Sequence, residues 1–220
     1  LNKIYRNNIR ALDNINLTVN KGDLFAFLGP NGAGKSTVIG IISSLVNISS
    51  GEVYVLGENI KKNPDFVKRQ IGLVPQEYNL CQFIPIEETM INVAGFFGIN
   101  RQDAEKRTYT LFNQLGIWDK RKNTPRELSG GMQQRVALAR LLMTGANILL
   151  LDEPFGALDE FTRERLNIEL LKIHADIGAT TMFVTHNIAE AIFLADEVLV
   201  MTPRPGRLAR VINVPFEHPR

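Results

Sequence analysis

"DLFAFLGPNGAGKST" fills positions 23–37 and joins an apolar run to a glycine loop and a lysine-led helix start. The run 23–29 reads as a buried strand leading into that loop. Gly29, Pro30, Asn31, Gly32, Ala33, Gly34, Lys35 and Ser36 then match G-x-x-x-x-G-K-[ST] in full. Glycines let such a loop turn its backbone N–H groups inward, which makes an anion nest at the positive end of the following helix. Lys35 adds a point charge for the β- and γ-phosphates, the Ser36 hydroxyl suits Mg²⁺, and Thr37 offers one more hydroxyl. A strand before the loop and a helix after it set this apart from a chance glycine turn. A nucleoside triphosphate is expected here.

Working outward, short apolar runs alternate with helical patterns, the signature of an α/β chain with a mostly parallel, helix-covered sheet. A helix is expected over 35–46, and strands over 71–76, 147–152, 180–186 and 196–201. "INLTV" (15–19) and "GEVYVLG" (51–57) alternate polar with apolar and read as half-exposed strands of a small antiparallel element. Between 84 and 144 the strand signal fades: Ile86, Met90, Val93 and Phe97 recur at helical spacing, and 102–116 reads as a second helix ending at Gly116. One domain is expected, with a core over 1–83 and 145–220 and a helical subdomain over 84–144.

The 220 residues suffice for one buried core, and 45% hydrophobic with 22% charged residues is ordinary for a globular domain. A net charge of +2 gives no reason to expect nucleic acid as a partner. Arg204, Arg207, Arg210 and Arg220 gather near the C-terminus and read as a solvated basic edge. Cys81 is the only cysteine, so an internal disulfide is excluded, which fits a reducing compartment. No run approaches the roughly 20 apolar residues of a membrane-spanning helix, and the polar start "LNKIYRNNIR" is no signal peptide. Leu1 in place of an initiator methionine points to trimming at that end.

"ILLLDEP" (148–154) ends an apolar strand on two carboxylates. At the C-terminal edge of a parallel sheet they face the crevice of the phosphate loop, Asp152 suited to hold Mg²⁺ through its water shell and Glu153 to orient and deprotonate water. Gln76 and His186 each follow a strand and can point into the same crevice. "LSGGMQQR" (128–135) is a second glycine-rich helix start, with Ser129, Gly130 and Gly131 before an amphipathic helix. Local sequence leaves a second anion site and a plain glycine turn evenly matched there.

Taken in order, "GPNGAGKST", "VPQ" (74–76), "LSGGMQQR", "ILLLDEP", "ALD" (157–159) and "VTH" (184–186) resemble the ATP-binding cassette ATPases over essentially the whole chain. The resemblance implies a P-loop NTPase (RecA-like) core with a small antiparallel β element and a helical insert, using ATP and Mg²⁺. It implies that residues 129–131, with Gln133, bind the ATP held by the other cassette of a head-to-tail dimer, homodimeric or paired, and that Asp159 meets that cassette. It makes Tyr5 the residue that stacks on adenine, although locally Tyr5 reads equally as a core tyrosine. Gln76 becomes a switch residue touching Mg²⁺, with Ser36 and Asp152 as the other metal residues. Glu153 becomes the general base and His186 its link to the γ-phosphate. Met132 stands where glutamine is commonest after the signature glycines, and Gly156 where serine is usual before "ALD"; neither removes a catalytic group.

The function implied is ATP hydrolysis powering transport through integral membrane permease subunits, at the cytoplasmic face, with a substrate-binding protein as well if the direction is import. "EYNLCQFIPIEETMINVAGFFGIN" (77–100), which is unusually apolar, would supply both subdomain core and a docking patch for those subunits. Positions 1–128 are similar to drug- and polysaccharide-type exporter ATPases, and 129–220 to those of nitrate, taurine and alkanesulfonate importers, so direction stays open. Ending at "FEHPR", the chain is expected to lack the C-terminal helix of such importers. The competing readings are a soluble member acting on ribosomes or DNA, and a non-hydrolysing ATP-gated module; a single cassette with a short insert favours transport over the first, and intact Glu153 and His186 oppose the second.

Overall fold

In the computed structural model, which describes residues 1–76 and 79–217, the apolar runs become the centre of one sheet. The chain opens with an antiparallel pair, β1 (Lys3–Ile4) and β2 (Arg10–Leu12), followed by β3 (Leu24–Leu28) and α1 (Lys35–Ile42). A second antiparallel pair, β4 (Tyr54–Val55) and β5 (Glu58–Asn59), precedes α2 (Pro64–Gln70) and β6 (Ile71–Val74). Three helices follow: α3 (Ile86–Phe96), α4 (Arg101–Gln114) and α5 (Gly130–Met143). The chain then alternates β7 (Ile148–Asp152), α6 (Glu160–Ile177), β8 (Thr180–Thr185), α7 (Ile188–Leu194) and β9 (Glu197–Met201), and closes with β10 (Leu208–Asn213). The main sheet runs in the order β10-β9-β3-β8-β7-β6, parallel except for β10 against β9.

Because side chains alternate across a strand, an all-apolar strand must be covered on both faces. Leu24 and Ala26 of β3, Leu149 and Leu151 of β7 and Phe183 of β8 join the core beneath α3 to α7. Their neighbours Phe25, Phe27, Leu150, Met182 and Val184 join the opposite core, with Val38 of α1, Val67 of α2 and residues of the two small β pairs. The helices start where a short polar side chain accepts a first-turn N–H: Asn100 from Asp103 (3.0 Å), Ser129 from Met132 (3.3 Å), Asp159 from Thr162 (3.0 Å) and Asn187 from Glu190 (3.2 Å). Arg135 lies inside the signature helix and binds it to two others, donating to the Leu115 carbonyl after α4 and pairing with Glu169 of α6 at 2.8 Å.

Several expectations are corrected. Residues 15–19 form no strand: the alternating burial is present, but the backbone is pinned at Ile15 by the chain start, its N–H reaching the Leu1 carbonyl at 2.9 Å, and no neighbouring ladder continues it. Over 51–57 only Tyr54–Val55 is a strand. The helix expected over 35–46 stops at Ile42, because Ser44 adopts φ 61° and the Leu45 and Val46 N–H groups both turn back to the Gly40 carbonyl at 2.8 Å. In α3 the core face is Ile86, Met90, Ile91 and Ala94, whereas Val93 is half-buried and Phe97 lies beyond the helix, exposed. Edge strand β10 is not among the expected strands: Arg210 breaks its apolar residues into two short pairs, and its burial pattern is almost wholly exposed. Glu77, Tyr78 and Arg220 lie outside the described residues.

Phe112 of α4 is fully buried where the helices meet the sheet core. Phe112→Ala should cost about 3–5 kcal/mol through lost burial and a residual cavity. A urea titration that left the unfolding midpoint in place would contradict this packing.

Candidate active site

The first turn of α1 begins at Gly34, whose φ of 94° only glycine adopts without strain, and the loop before it curls over the end of β3. The loop walls a cavity of about 400 Å³, completed by Tyr5, Ile9, Ala11, Gln76, Glu153 and Arg204. Such a volume suits a nucleotide-sized ligand. Lys35 is buried beneath the loop, its Nζ donating to the Gly29 carbonyl at 2.6 Å and the Pro30 carbonyl at 3.3 Å. The same Nζ stands 3.4 Å from Glu153 Oε1, which supplies the counter-charge a buried ammonium needs.

Asp152 closes β7 with its carboxyl buried, and the Ser36 hydroxyl donates to its Oδ1 at 3.1 Å. Burial pushes this carboxyl above its ordinary range; the Ser36 hydrogen bond opposes the shift, the Glu153 charge reinforces it and Lys35 opposes it. Glu153 follows at φ 45°, a left-handed conformation that costs a non-glycine residue about 1–3 kcal/mol. Its N–H holds the Val184 carbonyl at 3.0 Å, and its Oε2 lies 3.2 Å from His186 Nδ1. The backbone twist thus aims one carboxylate at both Lys35 and His186.

His186 is presented by a tight loop after β8. The Thr185 hydroxyl donates to Glu190 and accepts the Asn187 N–H at 2.9 Å. Glu190 is buried, and burial pushes its carboxyl up, against the Thr185 hydrogen bond. The sequence reading missed Glu190; its position four residues after His186, in the first turn of a capped helix, was the available signal.

Tyr5 is not a core residue. Its ring is exposed at the cavity rim, with the hydroxyl 3.3 Å from Thr37 Oγ1. Gln76 is exposed and lines the cavity. None of Ser129, Gly130, Gly131, Gln133 and Asp159 lines it. Ser129 and Asp159 cap α5 and α6, and the Gln133 amide is turned into its own chain, donating to the Pro125 and Leu128 carbonyls at 3.0 and 3.2 Å.

The fold and motif geometry agree with comparison to known proteins. Residues 12–156 match the model of the ABC transporter family. The chain belongs to that family. It is 40% identical over 212 residues to the aliphatic sulfonates import ATP-binding protein SsuB of Bacillus cereus, covering 96% of this chain and 82% of that protein. The taurine import ATP-binding protein TauB of Roseobacter denitrificans is 36% identical over 208 residues, covering 94% and 76%. Among solved structures, a dimeric ATP-binding cassette in a post-hydrolysis state bound to ADP and Pi superimposes with a TM-score of 0.84 at 29% identity, covering 98% of this chain and 95% of that one. The cassette cbiO1 of Clostridium perfringens, part of the ABC transporter complex cbiONQ, gives 0.88 at 27% identity, covering 97% and 86%. This ABC cassette is thus an ATP-binding, ATP-hydrolysing subunit that powers transport with separate transmembrane subunits. Among the described residues no helix is long and apolar enough to cross a membrane.

One cavity residue of this cassette, Arg204, read in the sequence as part of a solvated edge. Residues 202–207 turn between β9 and β10 and lie against the phosphate loop. Gly206 donates to the Ala11 carbonyl and accepts from Asp13 N–H, both at 2.9 Å, and a Cβ on Gly206 would stand 2.0 Å from the Ala33 carbonyl oxygen. Arg207 grips Asp13 Oδ2 through Nε at 2.9 Å and Nη2 at 2.6 Å, while Arg10 takes Oδ1 at 2.8 Å.

The Arg207 hydrogen bond holds the Asp13 carboxyl below its ordinary value, against burial, and Arg10 adds to it. With the folded value depressed, this clamp's stabilisation is present above the ordinary aspartate value of about 3.9 and is lost as pH falls through the lowered one. Arg207→Ala should therefore move the Asp13 titration upward in a carbon-detected NMR experiment. An unchanged titration would mean that Arg207 does not hold this carboxylate.

Proposed function

We propose that this cassette hydrolyses ATP at composite sites, each formed by the phosphate loop of one copy and the Ser129–Gly131 helix start of another in head-to-tail arrangement. The reading is carried by one observation: the signature residues begin a capped, exposed helix, yet line no part of the cavity that the phosphate loop shares with Glu153 and Gln76. A second anion-binding helix tip that cannot reach its own chain's nucleotide is of use to a partner's. Phosphates bridging two copies favour the closed dimer, and their cleavage removes that preference; this differential affinity is the energy available for transport.

In this reading the loop residues 29–37 cradle the polyphosphate, Lys35 leaves Glu153 for the β- and γ-phosphates, and Tyr5 stacks on adenine. Ser36, Asp152 and Gln76 offer the hard oxygen donors that suit Mg²⁺, which would neutralise charge on the phosphates. The Ser36 hydroxyl and Asp152 Oδ1, 3.1 Å apart, stand close enough together to serve one ion. Freed from Lys35, Glu153 takes the proton of the attacking water, and His186 keeps the carboxylate oriented and reaches the γ-phosphate. Asp159 faces the partner cassette. Residues 84–144 act as a helical subdomain that docks on the permease. Phe96, 88% exposed, with Phe83 just before the subdomain, 74% exposed, is apolar surface consistent with that role.

Import is the favoured direction. A relative named for aliphatic sulfonate import aligns over 212 residues and so spans both halves of the chain. A small sulfonate is the first substrate class to test, delivered by a substrate-binding protein to a permease, with the cassette at the cytoplasmic face. Copurification from the native membrane should recover a polytopic subunit together with such a binding protein.

Glu153→Gln keeps the shape and removes the base. Steady-state ATP hydrolysis should fall at least about 100-fold, while ATP with magnesium should drive the variant into a dimer detectable by sedimentation. Turnover near the parent rate would refute the general-base role, and a variant that stays monomeric at saturating ATP would refute the composite site.

A further inference from the structure

The charges on the side chains that line the cavity do not cancel. Of its lining side chains, Lys35, Glu153 and Arg204 are charged. Lys35 and Glu153 pair at 3.4 Å, whereas Arg204 has no ion pair among the described residues. The remaining charge is therefore one guanidinium, standing at the mouth of a loop built to bind anions.

Its position is held by tertiary contacts. Within the turn, Thr202 donates from its hydroxyl to the Pro205 carbonyl at 3.2 Å and accepts the Arg207 N–H at 3.0 Å, and its own N–H reaches the Arg207 carbonyl at 2.9 Å. Outside it, Gly206 is hydrogen-bonded to β2 and pressed on Ala33, and Arg207 is locked to Asp13. These contacts fix the backbone of the turn that carries Arg204, whose side chain is exposed. Arg204, between these anchors, projects its Nη2 to 3.6 Å from where a Cβ on Gly32 would stand.

We propose that Arg204 is a nucleotide-binding residue, which sets its guanidinium against the polyphosphate of ATP from the side of the phosphate loop opposite the sheet interior. The proposal rests on the reading that ATP seats on residues 29–37. A guanidinium presents a planar fork to two phosphate oxygens, which an ammonium cannot reproduce. Lys35, already engaged by Glu153 and two loop carbonyls, exchanges partners on binding; Arg204 has no ion pair to give up among the described residues. It therefore strengthens the capture of ATP, and selects polyphosphates over a nucleoside monophosphate.

The test compares the full chain with Arg204→Ala, Arg204→Lys and Lys35→Ala by calorimetric titration with a non-hydrolysable ATP analogue plus magnesium and, separately, AMP. Arg204→Ala should weaken the analogue roughly tenfold and AMP distinctly less, with Arg204→Lys between parent and alanine. In steady state its KM for ATP should rise by a larger factor than kcat falls, and the thermal midpoint should stay at the parent's, which separates nucleotide contact from a structural role. Parent-like affinity in Arg204→Ala while Lys35→Ala loses binding overturns the proposal and leaves the site reading intact. So does an equal loss for AMP and the analogue, or a defect confined to dimer formation with monomer affinity unchanged. Undiminished binding by Lys35→Ala overturns the site reading itself, and this proposal with it.

Discussion

Parallel pairing of β3, β8 and β7 is the constraint on which the chemistry of this cassette depends. Leu28 is in register with Thr185, and Asp152 with Val184, so the three strands end within about one residue of the same level. A parallel sheet sends every strand's C-terminal end to one edge. The phosphate loop leaves β3 there, Glu153 leaves β7 there and His186 leaves β8 there. Three segments far apart in the chain thereby meet at one edge, where Glu153 lines the cavity and reaches both Lys35 and His186. The apolar strand interiors that enforce this pairing are themselves fixed by the two cores on either face of the sheet.

Within that crevice the charges restrain one another. Lys35 and Asp152 are nearly excluded from water, and a buried charge must find a partner or be neutralised. Lys35 finds Glu153 and two carbonyls; Asp152 finds Ser36. The left-handed backbone of Glu153 is tolerated because its N–H is bonded to β8 and its carboxylate to Lys35 and His186.

The signature segment has structural duties as well as the exposed helix tip. Gln133 closes the turn before the helix, Arg135 ties α5 to α4 and α6, and Gln134 is buried. A motif often read only for what it presents outward thus also fixes the helix that presents it. The Asp159 carboxylate likewise caps α6, at the exposed start of that helix.

The amino-acid sequence by itself determined the strand interiors, the phosphate loop, the acidic pair and the second helix tip, because each is a local pattern whose chemistry is complete within a few residues. "FAFL" and "ILLL" have nowhere to go but a buried sheet, and G-x-x-x-x-G-K-S carries its loop geometry in its glycines. Residues 15–19 misled, since alternation records which side chains are buried but not whether a neighbouring strand exists to pair with. The early stop of α1 at Ile42 is a matter of turn conformation around Ser44, which no apolar period announces. Only the tertiary structure decided that Arg204 belongs to the cavity and that Tyr5 does not belong to the core. Both depend on segments that are distant in the chain: Gly206 meets Ala11 and Ala33 across most of its length, and Tyr5 meets Thr37 across 32 positions. Such contacts are fixed by packing between segments, and a local pattern of residues holds no record of them.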